Sequence, residues 1–363
     1  MPYKISGTKN ETARIIVFDE SDWTIESNTV VSGSGAYEVN LMSGTKSVVA
    51  VSASGEVEAH GSVSTILGSG DRAVFSCGQT NIMNMCNIID YITISTTGDA
   101  SDFGDATHDR RGVSGCSNGA KDRGVFGGGY DDISMLNIIE YITISSAGDA
   151  TDFGDLTVSR QFTGSCSNGV NNRGVFGAGY IIGDEKNEID YITISTTSNA
   201  SDFGDLLDKR YGIGACSNDI NNRGVFGGGQ KDSNNLNNIE YITISSTSNS
   251  TDFGDLTVAR CELSSVSNGT NERGVFMSGY NDWATMDYIT INSIGNATDF
   301  GDMLVAARYA GATSNKTNER GVIAGNSTYE NNISYITINS LGNSTDFGDL
   351  TDGRMGIGAV SNT

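Results

Sequence analysis

RYGIGACSNDINNRGVFGGGQKDSNNLNNIEYITISSTSNSTDFGD, residues 210–255, contains four strand-length apolar pieces separated by polar turns. In EYITIS, Tyr241, Thr243 and Ser245 fall on one face and Ile242 and Ile244 on the other, the period-2 pattern of a half-buried strand. The pattern recurs along the chain. RGVF or a variant starts at Arg72, Arg123, Arg173, Arg223, Arg273 and Arg320, and DFGD starts at Asp102, Asp152, Asp202, Asp252, Asp299 and Asp346, giving six units of 47 to 51 residues. With no helical period in the unit, four short strands bury their apolar faces only by stacking unit on unit. Radial stacking leaves no long exposed sheet edge, so an all-β, six-bladed propeller is the expected fold. A linear β-solenoid is the alternative, with coils usually shorter than ~50 residues.

The order R-x-x-x-G-A-x-S-N, turn, V-F-G-G-G, then E-Y-I-T-I resembles the kelch repeat over about residues 72 to 363. The kelch tryptophan is missing, and the Phe of DFGDL takes its place. Repeats carrying D-Y-I-T-I and D-F-G-D-L also resemble those of tail and fibre proteins of tailed phages. That likeness implies a virion protein in a peripheral tail or fibre position, made in the host cytoplasm and present in several copies on a particle.

The chain ends in RMGIGAVSNT, residues 354 to 363, a match to the strand that precedes RGVF in every unit. The first such strand, starting at Arg72, follows the poorly matching SVSTILGSGD. The C-terminal strand is therefore expected to enter the first blade beside residues 72 to 79 and close the ring. The propeller is placed at 63–363. Residues 1–62 read as short strands, KISGT, ARIIVFDE, WTIES, GAYEVNL and KSVVAVSA, rich in β-branched residues. They resemble an Ig-like or transthyretin-like (carboxypeptidase-regulatory-like) β-sandwich, which implies an anchoring domain that contacts other virion proteins.

Composition narrows the function. The 47 Gly against one Pro suit short strands and tight turns. A formal charge of −22, from 44 acidic and 22 basic residues, argues against nucleic acid, whose phosphates require Lys and Arg. MPYKISGTKNETARIIVF lacks a basic segment followed by an apolar run, so no signal peptide is expected. Without a ~20-residue apolar stretch, no membrane insertion is expected either.

Several motifs invite chemistry. DFG binds Mg²⁺ in kinases, but six copies at a fixed period, without HRD or a strand lysine, read as a structural turn. The RGVF arginine and DFGD aspartates, present in every unit, are expected to form a ring of salt bridges with a scaffold role. Calcium competes for the Asp-rich turns, yet no D-x-D-x-D-G loop appears, and no cofactor is assigned. Cys116, Cys166 and Cys216 occupy one repeat position, too far apart for bridges, and are expected to be buried thiols. His60 and His108 are the only histidines, and His108 reads as a solvated loop residue. The expectation is a protein that is not an enzyme. A glycan hydrolase would require converging carboxylates, and no pair stands out from the repeat.

Variation among the units concentrates between the double glycine and the next strand. Strand alternation puts those loops on one face with the segments around Arg110, Arg160, Arg210, Arg260, Arg308 and Arg354. The candidate binding residues there are Tyr130, Asp131, Asp132, Tyr180, Asp184, Glu185, Tyr211, Tyr280, Asp282, Trp283, Tyr309 and Tyr329. Aromatic rings beside carboxylates suit stacking on sugars and bonding to hydroxyls, so a host surface glycan or protein is the expected partner. The alternatives are loops that drift without constraint and a decoration or connector protein whose propeller binds another virion subunit.

Overall fold

The computed structural model describes residues 71–81, 84–280, 284–316 and 319–363, together with the backbone of six strands within residues 1–69. The chain divides into two compact units, Met1–Ser69 and Gly70–Thr363. In the first, Tyr3–Lys9 pairs with Gly35–Leu41. A second sheet orders Ile25–Val31, Ala13–Asp19, Lys46–Ser52 and Val57–Ala59. The packing of these sheets into the expected sandwich falls outside the described residues.

The second unit is a six-bladed β-propeller, consistent with the kelch-like expectation. Each blade is a four-stranded antiparallel sheet, and the inner strands neighbour one another in a closed circle. In one blade the inner strand is Gly214–Ser217, followed outward by Arg223–Gly227, Asn238–Thr243 and Thr251–Asp255. A short 3-10 turn, Asp219–Asn221, joins the first two strands. The C-terminal strand Gly358–Ser361 pairs with Arg72–Asn81, Gly358 opposite Ser76 and Ser361 opposite Ala73. The ring therefore closes by the strand exchange read from the sequence.

The blades hold together through apolar packing and repeated polar links. Ile242 and Ile244 pack into the preceding blade against Val175, Ile189 and Phe203. Full burial of such side chains contributes about 1.5–3 kcal/mol each. Arg223 lies 4.4 Å over the Tyr241 ring, which meets Phe253 edge-on with centroids 6.2 Å apart. The guanidinium also donates to the Ile291 carbonyl of the next blade at 3.1 Å. This Arg–Tyr–Phe stack recurs in every blade and uses the RGVF arginine, the EYITI tyrosine and the DFGD phenylalanine. It explains why those three residues repeat together.

The expected ring of RGVF–DFGD salt bridges does not form. Phe253 turns inward, which points Asp252 outward, and the first aspartate of DFGD is exposed in all six blades. The ion pairs instead join the arginine before the inner strand to the acid of the third strand. They are Arg110–Glu140, Arg160–Asp190, Arg210–Glu240, Arg260–Asp287 and Arg354–Asp90, all fully or almost fully buried. A loop residue of the preceding blade completes the acceptor shell, as when Thr157 N donates to Asp190 at 3.1 Å. In the sixth blade the equivalent positions are Ala307 and Ser334, so both partners are absent together. Arg308 is thus not the counterpart of Arg260 but stands one residue further on.

The glycine of DFGD has a separate role. Gly154 has φ +143, and a Cβ there would lie 2.5 Å from the Ser198 carbonyl of the next blade. At this close approach Ala200 N donates to Asp155 O at 2.7 Å, joining the outer strand of one blade to the turn of its neighbour. The cysteines at 116, 166 and 216 are buried and free, as the repeat implied.

Candidate functional site

The segment entering each inner strand passes over the axis on the face that carries the variable loops. Its third residue is Gly112, Phe162, Gly212, Glu262, Tyr309 or Gly356, and all six have φ between +55 and +70. Each backbone N–H donates to the equivalent carbonyl of the preceding blade, Phe162 to Gly112, Gly212 to Phe162, and so around to Gly112 and Gly356. A closed circle of six hydrogen bonds, 2.6 to 3.2 Å long, frames the mouth of the axial channel. The left-handed conformation is natural for glycine and costs an L-residue about 1–2 kcal/mol. Phe162, Glu262 and Tyr309 accept that cost at the mouth.

Outside this circle, the preceding residue in five of the six segments bridges to the residue after the glycines. The pairs are Arg111 with Tyr130, Gln161 with Tyr180, Tyr211 with Gln230, Cys261 with Tyr280, and Gln79 with Met355. Four aromatic rings form a chain across the mouth. Tyr180 and Tyr211 have centroids 5.0 Å apart, Tyr211 and Phe162 6.5 Å, and Phe162 and Tyr309 4.7 Å. The Arg308 guanidinium lies 5.0 Å over Tyr280, and its Nη1 is 3.4 Å from Glu262 Oε2. On the opposite rim Arg111 donates to Gln79 Oε1 and lies 5.7 Å over Tyr130.

Beneath the rings is a cavity of ≈ 110 Å³ lined by Ser114, Thr163, Ser165, Ser264 and Ser265 among others. The far half of the channel encloses ≈ 90 Å³. That end is crossed by the ion pair Lys316 Nζ–Asp219 Oδ2 at 3.1 Å. These residues also have positive φ, where Gly119, Gly169 and Gly269 occupy the equivalent positions. Side chains at glycine-type positions thus stand at both ends of the channel.

Burial sets the protonation of the mouth. It raises the Cys261 thiol to about 12, helped by the Glu262 charge, and the Tyr211 phenol to about 12, helped by Cys261 and Glu262. It pushes the Tyr309 phenol up as well, with Glu262 next in effect. Burial also lifts the Glu262 carboxyl, against the opposing pull of the Tyr309 hydroxyl and the Arg308 guanidinium. At neutral pH the thiol and both phenols keep their protons, so they serve as polar and aromatic surfaces.

Of the residues chosen from sequence, Tyr130, Tyr180, Tyr211, Tyr280 and Tyr309 meet at the mouth and its rim. Asp131 holds its own turn, accepting from Ile133 N at 2.9 Å and Ser134 N at 2.7 Å. Burial works against its charge, but those backbone donors leave the carboxyl below its usual range. Asp184 bonds Lys186 at 2.6 Å and Lys209 at 3.4 Å, contacts that lower its carboxyl. Asp132 is exposed in the same turn as Asp131, and Glu185 stands opposite Tyr180 in a strand pair. Among the described residues Tyr329 makes no ring contact with the mouth, and Asp282 and Trp283 lie outside them. Phe162, Glu262 and Arg111 were not foreseen, and Arg308 was placed on this face only as the arginine of its repeat. Their signal was in the sequence, as the repeat positions where glycine or any fixed residue gives way to a different side chain in each blade. His108 is exposed, its Nδ1 2.9 Å from the Thr107 hydroxyl. Among the described residues no group of three or more His, Cys, Asp or Glu is placed to hold a metal ion. No family model matches the chain, and no curated protein matches it.

Proposed function

We propose that this protein is a binding module without chemistry of its own, which recognises a host surface molecule, a glycan first among them, through the variable-loop face of its propeller. One observation carries this reading. Six nearly identical blades differ from one another chiefly at the axial mouth and the loops around it, and the differing residues there include five partly or fully exposed tyrosines, Tyr130, Tyr180, Tyr211, Tyr280 and Tyr309. Solvated drift would not gather four rings into a chain or retain strained residues beside glycine equivalents. The phage-like repeats support a place on a virion, as tail fibre or peripheral adhesin. The Ig-like or transthyretin-like reading of the N-terminal unit, as a sandwich that attaches to other virion proteins, belongs to the same proposal.

The test is retention of the labelled full-length chain on a panel of intact bacterial cells and on a glycan array, with Tyr180→Ala and Tyr211→Ala. Binding by the parent, weakened at least tenfold by either substitution, supports recognition through this face. Binding unchanged by both removes the face from the reading. A second reading, a virion connector whose propeller docks another protein subunit, is favoured by Ile133 and Ile182, which are 87% and 71% exposed at loop tips of the same face. It predicts retention by particle proteins and none by glycans or cells.

A further inference from the structure

The far end of the axial channel is crossed by side chains that the fold does not require. The position after the inner-strand Asn is Gly119, Gly169 and Gly269 in the second, third and fifth blades, with φ of 57°, 54° and 59°. Asp219 and Lys316 take the same position in the fourth and sixth blades, at φ 57° and 47°. Glycine makes this turn without strain, so two L-residues held in the left-handed region point to a use for their side chains.

Where those side chains lie shows the use. A Cβ added at Gly169 would overlap Asp219 Oδ1, and one at Gly119 would stand 3.4 Å from Lys316 Nζ. The Asp219 carboxylate therefore reaches over the third blade and the Lys316 ammonium over the second. Lys316 starts from the sixth blade, which faces the third across the ring, and its stem passes 3.5 Å from the Cβ position of Gly269. The Nζ–Oδ2 ion pair, 3.1 Å long, thus spans the end of the channel from one side to the other. It is lightly held. Both side chains are 19% exposed, and Asp219 Oδ1 receives no hydrogen bond among the described residues, which leaves the single Nζ–Oδ2 contact to fix the carboxylate. An ion pair so exposed contributes little and is weakened by salt. Behind it the far half of the channel is lined by serine hydroxyls and by Cys116, Cys166 and Cys216.

We propose that Lys316 and Asp219 form a side-chain gate on the far end of the channel. Paired, they close that end to solutes. Screening of the two charges lets both side chains swing off the axis by rotamer changes, with the backbone in place. The gate lies at the opposite end from the mouth, and it stands whatever ligand the variable face takes.

The channel thiols report on the gate. The folded full-length chain is reacted with methyl methanethiosulfonate, which is small and uncharged, at ~0.05 M and ~1 M NaCl, and the labelling rate of each cysteine is read by peptide mass spectrometry. Cys77, fully buried in the apolar core and away from the channel, is the internal control for unfolding. In the parent, Cys116, Cys166 and Cys216 are expected to react at least fivefold faster at high salt than at low. Asp219→Gly with Lys316→Gly installs the residue of the sister blades, so this variant is expected to fold as the parent does. It is expected to label the three thiols at least tenfold faster at low salt, with the salt effect gone. Asp219→Asn keeps the shape and removes the charge, and is expected to label them at least threefold faster than the parent at low salt. Cys77 is expected to stay within twofold throughout. Three results would overturn the proposal. Parent rates in the double variant would mean that the pair does not close the channel. A rise at Cys77 in step with the channel thiols would mean that the pair holds the blades together and gates nothing. Faster labelling in the variants without a salt response in the parent would make the pair a fixed plug.

Discussion

The paired absence of Arg and acid in the sixth blade yields a quantitative prediction. Arg260 and Asp287 are both fully buried, with Nη1–Oδ2 2.7 Å apart. Arg260 also donates to Ser278 O at 2.8 Å, and Asp287 accepts from Thr257 N at 3.3 Å. Removing either partner strands a charge in a site closed to water, a loss of about 3–5 kcal/mol in such pairs. Arg260→Ala and Asp287→Ser are therefore each expected to destabilise by about that amount. The double substitution creates the Ala and Ser that the sixth blade carries at 307 and 334. It removes both charges at once and leaves the packing defect and the orphaned carbonyls as the remaining losses. Its expected destabilisation is no larger than that of the worse single variant, so the coupling energy is at least about 3 kcal/mol. Urea denaturation of the full-length chain, followed by far-ultraviolet circular dichroism, measures all four corners of the cycle. Losses that add to within about 0.5 kcal/mol would show that the two groups act independently, and the account of the sixth blade would be refuted.

Three further outcomes follow from the geometry. Deleting residues 354–363 removes the closing strand and the Arg354–Asp90 pair, so the truncated chain is expected to lose its cooperative melt; an unchanged transition would mean the ring does not depend on that exchange. The thiols of Cys116 and Cys216 are raised from 9.0 to about 12 by burial. Above pH 9 the unfolded chain releases thiol protons that the folded chain keeps until about pH 12, so stability from these groups is full below pH 9 and falls as pH climbs through that window. Replacing Cys116, Cys166 and Cys216 by valine, as at Val266 and Val360 in other blades, is expected to flatten the alkaline slope of the melting temperature; an equal slope would place its origin elsewhere. Gly154→Ala meets the Ser198 carbonyl at 2.5 Å and is expected to destabilise by more than about 2 kcal/mol, read by the same denaturation assay.

How much of this was legible depended on how local each feature is. The strands, their order and the closing exchange could be read because each lies in one contiguous stretch whose alternation and repetition are visible without knowing any partner. The ion pairs could not. Arg210 and Glu240 are separated by a whole hairpin, each repeat offers several arginines and acids, and only strand register decides which face one another. Phe253 settles the matter by turning inward and sending Asp252 to solvent, a choice of face that composition does not reveal. At the mouth, the tyrosines stood out as exposed aromatics in variable loops. Phe162 and Glu262 were hidden because their importance lies in φ, and a positive φ at those positions shows in the sequence only as glycine in the sister repeats.

The polar links that recur around the ring use the RGVF arginine, the Asn that ends the inner strand, the serine hydroxyls and the DFGD ladder. Asn118 Nδ2 donates to Asn172 at 2.9 Å and Ser217 Oγ to Ser167 O at 2.7 Å, each reaching a neighbouring blade. None of these contacts involves a side chain of the loops between the second and third strands. At the mouth, the circle of six hydrogen bonds is made by backbone alone. The side chains that face the axis there can therefore change from Gly to Phe, Glu or Tyr while the ring stays closed, at the expense of local strain only. Such separation lets one repeat be copied six times for stability while the side chains that face the channel ends vary.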